Sequence, residues 1–143
     1  MTIARRTRLY HKLQLASHRV QKSADLTVRE ASGLTTAQAA VLSIIATIPN
    51  ASQRDVAGQL GLNESAVTAM VVRLIRDGFV SRERDKADRR AWVLSLTPQG
   101  MERLDAVSTP FAEINHKLEG VLTEEEIRQL TGMLQRISDA FDT

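Results

Sequence analysis

Cysteine is absent from the 143 residues, which excludes disulfide frameworks, cysteine metal sites, thiol nucleophiles and thiol redox switches together. Aromatic residues are scarce, with three Phe, one Trp and one Tyr, too few for a surface that stacks successive bases or sugar rings. No apolar run approaches the roughly 20 residues that a membrane-spanning helix needs. The longest, Ala39 to Ile48, is interrupted by Ser43 and Thr47 and stopped by Pro49. The seven glycines sit mostly at the ends of expected helices, and the chain holds neither a phosphate-binding glycine loop nor a nucleophile elbow. These gaps argue against an enzyme, and no cofactor is expected. Arg5-Arg6 superficially suggests a twin-arginine signal, but no apolar signal core follows it. The expectation is a cytoplasmic protein with no membrane association.

What remains is an ordinary globular composition, 43% hydrophobic and 25% charged, in a length that suits one domain. The formal net charge of +2 hides an uneven distribution. Residues 1–30 carry seven bases and two acids, residues 61–100 seven bases and five acids, and residues 101–143 four bases and nine acids. A basic start and centre are compatible with nucleic acid, although an excess this small is only a hint.

Periodicity and capping signals lay out the elements. Leu9, Leu13, Ala16, Val20 and Ala24 recur at helical spacing from about Thr7 to Ser32, before Gly33. Thr35 with Gln38 forms a capping box for a helix over Thr36 to Ile48, and Ser52 with Asp55 forms a second for a short helix ending at Leu60-Gly61. Asn63 caps a helix that runs to Asp77 and stops at Gly78. Phe79 to Arg84 and Trp92 to Leu96 read as a β-hairpin with Trp92, Leu94 and Leu96 on one face. Thr97-Pro98 starts a helix with an unbroken heptad-like stripe of Leu104, Val107, Phe111, Ile114, Leu118 and Val121. Thr123 and Glu126 make a third capping box, with Leu122 and Ile127 spaced for a hydrophobic staple, and Leu130, Leu134, Ile137 and Phe141 form the last apolar face.

The segment Gln53 to Thr68 has the requirements of a helix-turn-helix. Ala57 is small where two helices must approach, Gly61 suits the left-handed turn, and Val56, Leu60, Val67 and Leu74 lock the pair. Ser65 and Thr68 are short polar side chains on the exposed face of the second helix, small enough to let it enter a major groove. An ordinary helical hairpin could share this pattern, but a basic hairpin follows at once. Its tip holds Arg82, Arg84, Lys86, Arg89 and Arg90 against Glu83, Asp85 and Asp88. Helix-turn-helix followed by a basic hairpin is a winged helix, and a wing arginine can enter an A·T-rich minor groove.

Together with Leu34-Thr35-Thr36-Ala37-Gln38, Val41-Leu42, Arg73-Leu74, Asp77 to Arg82, Asp88-Arg89-Arg90 and Leu96-Thr97-Pro98-Gln99-Gly100, these pieces resemble the MarR (multiple antibiotic resistance type) family of transcriptional regulators along essentially the whole chain. The resemblance implies a mainly α fold with a small β-hairpin wing. A winged-helix lobe would span about residues 34–97, and dimerisation helices about residues 5–32 and 98–143. It implies a ligand-responsive repressor that binds a palindromic double-stranded DNA operator as a homodimer. It also implies groove contacts from Ser65, Ala66, Thr68 and Ala69, with Arg73 near the backbone or a base edge. Thr36, Gln53 and Asn63 would meet phosphates, and Arg90 would be the wing arginine, flanked by Arg82 and Arg89 and oriented by the Asp88 carboxylate. Two positions depart from the family. Ala69 stands where many members carry arginine, leaving at most a methyl contact with thymine. Arg84 stands where proline is common, and could reach a phosphate instead.

Other residues carry less. His11, His18 and His116 lack metal-site spacing, so no metal is expected. The resemblance implies a small aromatic effector, for which Tyr10, Gln14, His18 and Phe111 are the candidate contacts. The alternative to a sequence-specific regulator is a winged helix used for nonspecific DNA binding or protein contacts.

Overall fold

The computed structural model describes residues 3–142, with side chains described from Arg8 to Asp142. The elements in chain order are α1 (Ile3–Ser32), α2 (Thr36–Thr47), α3 (Gln53–Leu60), α4 (Glu64–Arg76), β1 (Val80–Arg84), β2 (Trp92–Leu96), α5 (Pro98–Gly120) and α6 (Glu124–Ala140). The first helix begins at Ile3, ahead of the start expected near Thr7, and the side chains of Arg5 and Arg6 lie outside the described ones. Two compact units divide the chain, residues 1–110 and 111–143, with the boundary inside α5.

All three capping boxes form. Thr35, Ser52 and Thr123 each accept from the backbone N–H three residues on, and Gln38, Asp55 and Glu126 reach back to the cap N–H. Asn63 caps α4 through its side-chain oxygen, which accepts from Ala66 N–H at 2.9 Å. Gly61 closes α3 at φ 65, ψ 30, a left-handed conformation that costs a residue with Cβ far more than glycine.

In the first unit, the buried side chains of Val28, Leu34, Val41, Leu42, Val56, Val67, Val71, Leu74, Val80, Leu94 and Val107 form one core. Each helix contributes its apolar stripe, and β1 pairs with β2 antiparallel, Val80 opposite Leu96 and Arg84 opposite Trp92. Leu94 N–H donates to Ala51 carbonyl at 2.8 Å, which ties the wing to the entry of α3. The Leu-Thr-x-x-Gly sequence acquires a structural reason. Thr97 hydroxyl donates to Gly78 carbonyl at 2.6 Å and accepts from Gly100 N–H at 3.0 Å. A Cβ on Gly100 would overlap the Phe79 carbonyl, so only glycine lets the first turn of α5 approach this closely. Arg103 donates to Ser32 carbonyl at 2.7 Å, placing a cation at the C-terminal end of α1.

The α5 stripe is not the uniform one that its spacing predicts. Val107 is buried and Leu104 half-buried in the core, whereas Phe111, Leu118 and Val121 are exposed. Pro110 lies inside the helix between these two parts, where it removes one backbone donor. The second unit holds the rest of α5 and α6, and no residue of α6 is buried. Among the described residues, no helix is long and apolar enough to cross a membrane.

Candidate nucleic-acid interface

The helix-turn-helix is α3 and α4. Val67, Val71 and Leu74 turn one face of α4 into the core and leave Ser65, Ala66, Thr68, Ala69 and Arg73 exposed on the other. The exposed stretch from Ser65 to Ala69 has no long side chain on its outer surface, which allows close approach to base edges. Thr68 hydroxyl lies 3.0 Å from Gln53 Oε1 and 2.8 Å from Glu64 carbonyl, so the two predicted contact residues are neighbours on adjacent helices.

The wing closes this face on one side. A cavity of about 580 Å³ opens between α3, α4 and the hairpin, and Gln53, Thr68, Arg82, Asp88, Arg90 and Trp92 all line it. Five of those six are residues the sequence singled out, drawn from three separate elements. The wing tip is ordered by its own acids. Asp85 accepts from Ala87 N–H at 2.9 Å, and Asp88 accepts from Arg90 N–H at 3.0 Å. Arg89 and Arg90 are exposed at that tip, and Arg54 and Glu64 form an exposed ion pair at 3.5 Å beside the groove. A pair this exposed contributes little.

Three of the expected contact residues make bonds within the chain. Asp88 holds the Arg90 main chain rather than its guanidinium, since a short carboxylate at a turn reaches the N–H two residues on more readily. Arg84 is engaged within the wing: its guanidinium stacks on Trp92, as that of Arg82 does, and donates to Arg89 carbonyl. Thr36 gives both its donors to Asp25 on α1, the N–H at 3.1 Å and the hydroxyl at 2.6 Å, and its hydroxyl also accepts from Gln21. The Thr36 hydroxyl, then its N–H, then Gln21 hold the Asp25 carboxyl below its ordinary range. Asn63 keeps its side-chain NH2 available, because only its oxygen is used in capping.

Asp25 and Trp92 are the residues that sequence reasoning missed. Asp25 could have been suspected as the first acid after a basic run, and Trp92 as the cross-strand partner of an arginine. The effector candidates are only partly brought together. Gln14 donates to Tyr10 hydroxyl at 3.3 Å and His18 lies further along α1, while Phe111 belongs to the other unit. Among the described residues, no three His, Asp or Glu side chains cluster as metal ligands.

Comparison with known proteins agrees with this geometry. Residues 34–92 match the model of the MarR family. The chain is 34% identical over 89 residues to the HTH-type transcriptional regulator BilQ of Clostridium symbiosum, a match covering 62% of each chain. It therefore spans less than two thirds of that relative's length. It is 30% identical over 114 residues to the HTH-type transcriptional repressor MdtR of Bacillus subtilis, covering 80% of this chain and 74% of the relative. The fold matches that of MepR in the S. aureus MepR–DNA complex with a TM-score of 0.85, at 23% identity over 99% of both chains. A capped helix-turn-helix, a basic wing and the Leu-Thr-x-x-Gly join thus occur in one chain together with this similarity in sequence and structure, and the protein belongs to the MarR family.

Proposed function

We propose that the chain is a sequence-specific transcriptional repressor that binds a palindromic operator as a homodimer. In this reading α4 lies in the major groove and the wing tip reaches the adjacent minor groove. The observation that carries it is the convergence of Gln53, Thr68, Arg82 and Arg90 on one groove beside the short-side-chain face of α4. Charge at the wing and small polar groups on the helix divide the work in the manner of protein–DNA interfaces, positioning by phosphate contacts and specifying by base edges. That MepR, a protein of this fold, is seen in complex with DNA, and that MdtR is called a repressor, support the same reading.

Dimerisation is supported by apolar side chains left uncovered at both ends of the chain. Leu9 on α1 is 68% exposed, and Leu130, Met133 and Leu134 on α6 are all more than 40% exposed. Uncovered apolar faces of this kind, each on its own unit, mark interaction surfaces.

The test is a salt titration of binding to two duplexes, one selected by the protein from random DNA and one scrambled. Thr68→Ala should cost about 1 kcal/mol on the selected duplex and leave the scrambled one nearly unchanged. Arg90→Ala should weaken both by comparable factors and reduce the salt slope by about one for each phosphate that the arginine had neutralised. Asp88→Ala should act as a milder Arg90→Ala, through a loosened tip. Equal weakening on both duplexes from Thr68→Ala, with none from Arg90→Ala, would overturn these roles. Wild-type binding with no preference between the duplexes would favour nonspecific DNA contact.

A further inference from the structure

The Trp92 ring occupies an uncommon position for the only tryptophan of the chain. It lies at the tip end of β2, 37% exposed, beyond the point where Leu94 enters the core. Arg82 and Arg84 project from the same face of β1, opposite Leu94 and Trp92. Their guanidinium carbons lie 4.5 and 4.3 Å from the centroid of the indole ring. Two cations gathered at one ring repel each other, and the negative faces of the ring offset that repulsion. Among the described residues neither arginine forms an ion pair. Arg84 extends the connection by donating to Arg89 carbonyl in the tip, so ring, guanidinium and tip main chain form one continuous link.

We infer that Trp92 is a positioning residue for DNA binding, which holds Arg82 at the groove and, through Arg84, keeps the wing tip in its bound shape. The inference rests on the DNA-binding reading. It divides the arginines of the wing into two kinds. Arg84 serves the wing, whereas Arg82 and Arg90 line the groove and serve the DNA. An arginine already held by an aromatic face loses less rotamer freedom on binding, and a tip already ordered has less to order.

Trp92→Leu keeps an apolar side chain without an aromatic face, and Trp92→Phe keeps a smaller face. Amide hydrogen exchange of the free protein over residues 85–91, which needs no DNA, should accelerate roughly fivefold in Trp92→Leu and by clearly less in Trp92→Phe, with Arg84→Gln reproducing the faster exchange. Affinity for a random-sequence duplex should fall roughly fivefold in Trp92→Leu and largely recover in Trp92→Phe. The salt slope should stay unchanged, because every phosphate-facing cation is kept, while Arg82→Ala should lower it. Equal exchange in the Leu and Phe variants would overturn the clamp. So would a salt slope in Trp92→Leu as low as that of Arg82→Ala. A wild-type protein that bound no duplex would overturn the DNA reading and the binding role of Trp92 with it, while the exchange contrast would still judge the clamp by itself.

Discussion

Helices α4 and α6 are written in the same pattern and meet opposite fates. Both carry apolar residues at steps of three and four, and both open with a side-chain cap. In α4 the stripe is fully buried at Val67, Val71 and Leu74, because α3 and β1 pack against the helix and its side chains join the core of one unit. In α6 the stripe of Ile127, Leu130, Leu134 and Ile137 leaves no residue buried. Periodicity states which face of a helix is apolar and says nothing of what covers it. The lobe around α4 supplies its own cover, and α6 leaves its apolar face uncovered.

The contrast can be broken by substitution, most forcefully in the lobe. Leu74→Ala removes a fully buried side chain and should destabilise the protein by about 2–5 kcal/mol, read as a lowered denaturation midpoint at unchanged slope. Leu130→Glu should act elsewhere, weakening self-association on the order of tenfold or more in sedimentation. Amide protection of Val67, Val71 and Leu74 should persist in that variant at concentrations where it is monomeric. If the α6 substitution unfolded the lobe, the division between a self-sufficient lobe and a dependent helix would be wrong.

Smaller effects sharpen the same comparison. Ser52→Ala and Thr123→Ala each delete a helix cap and should cost about 1 kcal/mol, the first by loosening the DNA-reading pair and the second by loosening association. The smallest effect is electrostatic. Asp25 is held below the ordinary carboxylate range by its bonds from Thr36 and Gln21, so its contribution is fully present above about pH 4 and is lost as pH falls through the lowered native value. Since Asp25 is only partly buried, solvent screening limits this to roughly 0.5 kcal/mol. Asp25→Asn should flatten the acid limb of a stability–pH curve by that amount, and an unchanged limb would show that the α1–α2 tie carries no stability.

Local features were legible in the sequence because their causes are local. A cap depends on a short polar side chain and the N–H three residues away, so Thr35, Ser52, Asn63 and Thr123 announce their helices directly. Gly61 and Gly78 mark left-handed turns for a similarly local reason. The convergence of Gln53, Thr68, Arg82 and Arg90 followed from reading a helix-turn-helix with a basic wing behind it. The bonds that Thr36, Arg84 and Asp88 make within the chain did not, since each depends on a neighbour or a turn geometry that only folding supplies. Thr36 meets Asp25 eleven residues earlier, and Arg84 meets Trp92 across the hairpin. In a run of charges, an exposed arginine looks the same whether it is free or stacked.

The sequence by itself therefore determined the elements, their order, the apolar face of each helix and the surface that carries the basic wing. Backbone propensity, capping and side-chain periodicity act over a few residues, and those few residues are all written in one stretch of chain. Tertiary structure alone decided which polar groups are already satisfied and which remain for a partner. A donor engaged by Asp25 or a guanidinium held on Trp92 differs from a free one only in its neighbour, and neighbours distant in sequence are selected by packing of the whole core. Packing also decided that Gly100 cannot be replaced, since the clash a Cβ would meet is with the Phe79 carbonyl, a group on the other side of the hairpin in the chain.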